Sequence, residues 1–131
     1  MSRILTLAGA SGALAVILGA FAAHGLKAHL SPEQLQTFET GVRYHMYHSL
    51  ALLALGAIAS RGGGGSWTTR ACWMFAAGIL LFSGSLYLLS TRELLGIAHW
   101  RWLGPVTPLG GLCFIAGWAT LALGAAFHKT P

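Results

Sequence analysis

The feature that most constrains this chain is an apolar run near its start, residues 4–23, which spans 20 positions without an ionisable side chain. A helix needs about 20 apolar residues to cross the hydrocarbon core of a bilayer. The run is longer than the roughly 7–15 residues of a secretory signal core, and further apolar runs follow it. We therefore expect it to remain in the mature protein as the first membrane span.

The composition agrees with a membrane protein. Of the 131 residues, 55% are hydrophobic and 8% are charged, whereas soluble domains carry about 25% charged residues. A chain of this length has too little interior to hide that much apolar surface from water, so part of it must face lipid. The low charge excludes a disordered chain, and two cysteines are too few for a disulfide scaffold.

The second span is predicted from a helix start that lies well before its apolar part. Ser31 can cap the helix, Pro32 suits the first helical position, and Gln34 can complete a capping box. The wholly apolar stretch, residues 50–59, is too short to cross a bilayer, so the span must begin near residue 40. This assignment brings several polar side chains to membrane depth.

The rest of the chain predicts two more spans. The glycines of residues 61–70 make a short turn, and residues 91–108 mix charges with tryptophans, which is typical of a segment lying along lipid headgroups. Thr107 and Pro108 are suited to start the last helix. We predict one all-α domain, residues 1–131, an integral membrane four-helix bundle with one interfacial segment and spans at about 4–23, 40–60, 71–90 and 108–127.

Small residues recur at steps of three and four in the first and last spans. These seams are Leu5, Ala8, Gly12, Ala15, Gly19 and Ala22 in the first span, and Gly110, Cys113, Gly117, Thr120 and Gly124 in the last. Small side chains let helix backbones approach closely, and a seven-residue period favours left-handed packing. We expect Gly12, Gly19, Gly110, Gly117 and Gly124 to face other helices, in the same chain or in another copy.

The basic residues do not indicate a nucleic-acid surface. Eight Lys and Arg against three Glu give a formal charge of +5, but the cations stand singly between apolar runs. Binding to phosphate backbones requires clustered cations. We therefore expect membrane lipids, and no nucleic acid, as their partners.

The same cations give a prediction of membrane orientation. Four spans put both termini and the glycine-rich turn on one side. Each side then carries four cations, namely Arg3, Arg61, Arg70 and Lys129 against Lys27, Arg43, Arg92 and Arg101. Because the two counts are equal, the prediction depends on the basic amino terminus, which favours cytoplasmic termini.

Polar groups gather at the end opposite the termini, where five of the six histidines lie. A ligand-binding site there would use His24, Arg43, Tyr44, Tyr47 and His48. His45 and His48 share a helix face, and with His24 they could supply three nitrogens to a metal or haem. The alternative is that these histidines hydrogen-bond neighbouring helices or headgroups. Neither a Cys-x-x-Cys nor a His-x-x-x-His motif is present, and we expect no resident metal or cofactor.

No catalytic residue is predicted. Ser83 and Ser85 are candidate nucleophiles, but no local base or acid accompanies them, and hydroxyls in membrane helices more often bond across helices. The four-glycine run lacks the following Lys-Ser/Thr of a phosphate-binding loop. We therefore expect a protein that is not an enzyme.

Four segments, GAFAAHGLKAHL, FETGVRYHMYHSLALL, FSGSLY and GPVTPLGGLCFIAGW, occur here in an order and spacing that resembles the YgdD/YwdK family of small bacterial inner-membrane proteins, which has a mitochondrial relative. The resemblance covers nearly the whole chain. It implies about four spans and a location in the inner membrane. It implies no catalytic or ligand role, because the biochemical function of that family is unassigned.

These observations favour a non-catalytic accessory or assembly subunit that acts by helix-helix association, with other membrane subunits or as a homo-oligomer. Two other hypotheses stay open. One is a ligand, metal or haem site at the polar end. The other is an oligomeric small transporter or proton path, which a single four-helix chain is too small to enclose by itself.

Overall fold

The computed structural model describes residues 2–127 and contains, over that range, four long helices and no strand. The helices are α1 (Ser2–Phe21, continued by a π-helical turn at Ala22–Leu26), α2 (Pro32–Ser60), α3 (Gly65–Thr91) and α4 (Leu103–Phe127). This confirms the predicted all-α, four-helix membrane fold. Lys129, used in the charge count, lies outside the described residues.

Three of the four helices, α1, α3 and α4, are long and apolar enough to cross a membrane by themselves. The exception is α2, whose first half, residues 32–45, is rich in polar side chains. Its start is the predicted one: the Ser31 hydroxyl accepts a hydrogen bond from the Gln34 backbone N–H, and the Gln34 side chain accepts one from the Ser31 N–H. The capping box is confirmed, with Pro32 in the first turn.

Two helices begin earlier than the predicted spans. The third helix starts at Gly65, directly after Gly64, which has a φ of 90° that glycine adopts without strain. The fourth starts at Leu103, so that Pro108 lies inside the helix. The prediction that Thr107 caps this helix is wrong, because the Thr107 hydroxyl bonds the Ser85 hydroxyl of α3 at 2.6 Å instead.

The first two helices pack antiparallel with a seven-residue repeat. A Cβ atom added to Gly56 would lie 2.6 Å from Leu5, one added to Gly12 would lie 3.9 Å from Ser49, and one added to Gly19 would lie 3.2 Å from Val42. Each step of seven forward along α1 is thus a step of seven backward along α2. The seam alanines Ala8, Ala15 and Ala22 are all buried in this helix pair or at its end.

The last two helices approach closely at the glycines of α4, one of which meets the α3 backbone and two of which meet aromatic rings. A Cβ atom on Gly110 would overlap the backbone nitrogen of Phe82; one on Gly117 would lie 2.6 Å from the Phe75 ring, and one on Gly124 2.5 Å from the Trp67 ring. Both glycine seams are therefore occupied by helices of the same chain, which the sequence had left open.

The α2–α3 contact links these two pairs. The Ser83 hydroxyl donates to the Gly41 carbonyl of α2 at 2.7 Å, and a Cβ on Gly41 would lie 2.9 Å from the Tyr87 ring. Ser83 ends a π-helical turn, Ile79–Ser83, that interrupts the α-helical hydrogen bonding of α3. Most contacts between helices are thus made by helices that follow each other in the chain, α1 with α2, α2 with α3 and α3 with α4.

Candidate functional site

Of the residues predicted to form a polar-end ligand site, the structure keeps four together on α2, where the Tyr44 ring contacts those of Tyr47 and His48, and separates His24 from them. His24 is exposed in the π-helical turn that ends α1, and Arg43 is exposed on α2, where its guanidinium donates to the Thr40 hydroxyl at 3.2 Å. Tyr44 and Tyr47 are 41% and 54% exposed, and His48 is buried.

His24 does not approach His48. Because Gly19 faces Val42, His24 lies level with Thr37, eleven residues before His48 on α2. That separation corresponds to about 16 Å along the helix axis. Among the described residues 2–127, no group of three His, Cys, Asp or Glu side chains could hold a metal ion.

The His48 ring contacts three other residues of the helices. Its ring stacks on Phe114 of α4, with 3.6 Å between ring centroids and 9° between planes. Nδ1 lies 2.7 Å from the Tyr44 carbonyl, and the Trp118 indole N–H donates to Nε2 at 3.1 Å. A carbonyl can only accept and an indole N–H can only donate, so the proton of His48 is on Nδ1. Both ring nitrogens are engaged, and neither is available to a metal.

His45 lies at the centre of a second hydrogen-bonded set that joins three helices. Its Nδ1 is 2.9 Å from the Tyr87 hydroxyl of α3, and its Nε2 is 3.1 Å from the Ser11 hydroxyl of α1. The Ser11 hydroxyl is 2.6 Å from that of Ser49, which donates to the His45 carbonyl at 2.8 Å. We call these four side chains, Tyr87, His45, Ser11 and Ser49, the polar chain.

One backbone oxygen sets the direction of every hydrogen bond in the polar chain. The single Ser49 hydroxyl proton goes to the His45 carbonyl, so Ser11 must donate to Ser49. Ser11 then accepts from His45 Nε2–H, and His45 Nδ1 accepts from the Tyr87 hydroxyl. His45 therefore carries its proton on Nε2, the opposite tautomer to that of His48.

A groove of about 410 Å³ opens beside the polar chain, between α1 and α3 and above α2. Three polar-chain residues, Ser11, His45 and Tyr87, contribute to its wall, and the other lining residues are apolar or glycine. The groove extends from Leu7 to Leu18 on α1 and from Ala76 to Tyr87 on α3. This groove lies apart from the predicted polar-end site and is almost wholly apolar.

Sequence reasoning did not identify most of this site. Ser11 was read only as part of an apolar span, and Trp118 carried no signal because its partner His48 is 70 positions away. A usable signal was the presence of lone hydroxyl residues inside otherwise apolar runs, because such groups need partners within the membrane. The sequence places Tyr87 among the polar groups expected at the end opposite the termini, but it does not pair Tyr87 with His45.

Comparisons with known proteins agree with the fold. A family model described as protein of unknown function (DUF423) matches residues 18–111. The chain is 42% identical to the UPF0382 membrane protein YwdK of Bacillus subtilis (strain 168), over 95% of this chain and 97% of that protein. It is 38% identical to the UPF0382 inner membrane protein YgdD of Escherichia coli (strain K12), over 93% and 88%.

A third relative is a UPF0382 membrane protein of Haemophilus influenzae, 41% identical over 98% of both chains. None of the three carries an enzymatic name. No solved structure matches this chain.

Proposed function

The chain belongs to the DUF423 family of membrane proteins, whose function is unknown, and from this premise we propose that it acts without catalysis as an accessory or assembly subunit. It would bind a second membrane protein by helix-helix contact. The observation that supports the proposal is a pair of exposed tyrosines whose hydroxyls have no hydrogen-bond partner within residues 2–127, at a position that the predicted spans put at membrane depth.

These tyrosines belong to what we call the tyrosine strip, the exposed residues Arg43, Tyr44 and Tyr47 of α2. One side of the Tyr44 ring packs on Phe82 of α3. Gly19 faces Val42, so Ala23, where the first apolar run ends, lies level with Phe38. Tyr44 and Tyr47 are six and nine residues further along α2, about 9 and 14 Å into a hydrocarbon core about 30 Å thick. Arg43 is long enough to reach back toward the headgroups.

Neither tyrosine hydroxyl of the strip has a hydrogen-bond partner within residues 2–127, although the rings contact each other at 5.8 Å between centroids. An unpaired hydroxyl in hydrocarbon is unfavourable, whereas a polar group on a neighbouring helix would satisfy it. This supports a protein neighbour for the strip. The glycine seams do not supply a docking face, because both are filled within the chain.

Photocrosslinking from the strip tests the proposal. We would replace Tyr47 with p-benzoylphenylalanine in cells and compare it with the same replacement at Ile17, which is 63% exposed on α1. The accessory role predicts a discrete protein adduct at Tyr47, absent at Ile17 and reduced by Tyr44→Phe. Adducts with lipid alone would refute it, and an adduct of two copies of the 13.8 kDa chain would replace the accessory role with a homo-oligomer.

We also propose that both termini lie in the cytoplasm. The support is the basic residue near the amino terminus, Arg3, because the first helix usually sets the orientation of a multi-span chain. Arg61 and Arg70 flank the glycine-rich turn on the same side.

A further inference from the structure

A polar pocket of about 260 Å³ lies between the start of α2 and the end of α3. Its wall is formed by Glu33, Gln34 and Thr37 of α2, by Leu89 and Ser90 of α3, and by Arg92, which caps α3. Unlike the groove between α1 and α3, it has a wall that is about half polar. We propose that it binds the headgroup of a phospholipid that carries a phosphate and a primary ammonium group, with the ammonium at Glu33 and the phosphate at Arg92. This site does not depend on the accessory role or on the tyrosine strip.

The pocket is lined by two opposite charges that do not bond each other. Glu33 and Arg92 are both exposed, and within residues 2–127 neither takes part in an ion pair. Each charge is favourable at its own helix end, because Glu33 lies in the first turn of α2 and Arg92 at the carboxyl end of α3. Opposite charges that line one cavity without touching leave space for a ligand that carries both signs.

A phosphoethanolamine headgroup is small enough to enter the pocket. Its phosphorus and nitrogen atoms are joined through bonds of about 1.5 Å and lie about 5 Å apart when extended, so one cavity can hold both charges. At roughly 30 Å³ for each water-sized group, a volume of about 260 Å³ admits about nine such groups, slightly more than the non-hydrogen atoms of this headgroup. The acyl chains would remain in the bilayer.

The pocket lies at the level of the lipid headgroups. Ala23, where the first apolar run ends, is level with Phe38. Glu33 and Thr37 precede Phe38 by five residues and one residue, which places them about 8 and 2 Å outside the hydrocarbon core. Because each headgroup layer is about 5–8 Å thick, these two residues span that layer. A membrane lipid is therefore the nearest source of a ligand that carries both charges.

Hydrogen bonding selects a primary ammonium group over a trimethylammonium group. An ionised carboxylate such as that of Glu33 only accepts hydrogen bonds; a primary ammonium donates up to three, whereas a trimethylammonium donates none. The Arg92 guanidinium can donate two parallel hydrogen bonds to phosphate oxygens. An anionic headgroup without an ammonium group would leave Glu33 facing a like charge. The pocket should thus prefer phosphatidylethanolamine to phosphatidylcholine and to phosphatidylglycerol.

Native mass spectrometry of the full chain in a non-ionic detergent tests the proposal, with these three phospholipids, all bearing the same acyl chains, as probes. We expect one phosphatidylethanolamine per chain, bound about fivefold more tightly than either of the other two lipids. A surface that attracted lipid only through the formal charge of +5 would bind phosphatidylglycerol most tightly.

Four exposed charges provide matched variants. Glu33→Gln should bring the affinities for phosphatidylethanolamine and phosphatidylcholine within about twofold of each other, whereas Glu39→Gln, on the same helix outside the pocket, should leave the fivefold preference unchanged. Arg92→Gln should weaken binding of phosphatidylethanolamine and phosphatidylcholine alike, by about fivefold, and Arg101→Gln should weaken neither. Because all four side chains are exposed, we expect the variants to fold, and circular dichroism checks their helix content.

Three results would overturn the proposal: equal binding of phosphatidylethanolamine and phosphatidylcholine to the unmodified chain, tightest binding of phosphatidylglycerol, or equal effects of Glu33→Gln and Glu39→Gln. Glycerophosphoethanolamine, which has the same headgroup without acyl chains, distinguishes a lipid from a free ligand. It should fail to displace the bound lipid at an equal concentration. Displacement would show that the pocket takes a free zwitterion, and the assignment to a membrane lipid would be wrong.

Discussion

The indole N–H of Trp118 donates to Nε2 of His48 across the gap between α4 and α2, at 3.1 Å. Because Nδ1 of the same ring donates to the Tyr44 carbonyl, this contact fixes the tautomer of a buried histidine. It also connects α4 to α2, so that α4 is held in the bundle by a hydrogen bond as well as by packing.

Removing that donor should destabilise the protein. Trp118→Phe keeps a ring at the position but leaves His48 Nε2 buried without a partner, so we expect a loss of about 1 kcal/mol in the free energy of unfolding. Unfolding in mixed micelles of increasing SDS content measures it. Trp73→Phe is the control, because Trp73 is 72% exposed, and an equal loss in both variants would contradict the role of the bond.

Two adjacent glycines should respond differently to the same change. A Cβ on Gly110 overlaps the backbone of Phe82, whereas one on Gly111 lies 3.8 Å from the Phe82 ring, an ordinary contact. Gly110→Ala should therefore force α3 and α4 apart and cost about 1–3 kcal/mol. Gly111→Ala should be neutral or slightly stabilising, because alanine favours the helix. Equal melting temperatures of the two variants in detergent would show that α4 does not pack on α3 through Gly110.

The two buried histidines should be opposite tautomers. The hydrogen bonds require Nδ1–H at His48 and Nε2–H at His45. Nitrogen-15 chemical shifts of the histidine rings distinguish these forms, and His45→Gln and His48→Gln assign the signals. Finding the same tautomer at both positions would contradict the direction derived for the polar chain.

The side of the membrane on which each connection lies can be measured by cysteine labelling. In a chain with Cys72→Ala and Cys113→Ala, a single cysteine would be placed at Ser60 or at His29, both exposed near opposite ends of the bundle. Cytoplasmic termini predict that a membrane-impermeant maleimide added to intact cells modifies His29→Cys but not Ser60→Cys. The reverse pattern would invert the orientation, and equal modification would contradict the four-span topology.

Much of the fold could be predicted because the responsible interactions are local. A run of 20 residues without charge is enough to predict a membrane helix, and the capping box at Ser31 and Gln34 acts over three positions. The helices α3 and α4 begin before the predicted spans, because polarity marks where a membrane span ends, whereas a helix continues until its backbone is interrupted.

By itself, the sequence determined that this is a helical membrane protein with small-residue seams, since hydropathy and side-chain size are properties of each residue. Only the tertiary structure decided what those seams face, how the histidines are protonated and where a groove opens. Those features depend on pairs such as Ser11 with His45 and His48 with Trp118, 34 and 70 positions apart. Hydrogen bonds between residues so far apart in the sequence form only after helix packing has brought their side chains together, so no local sequence pattern encodes them.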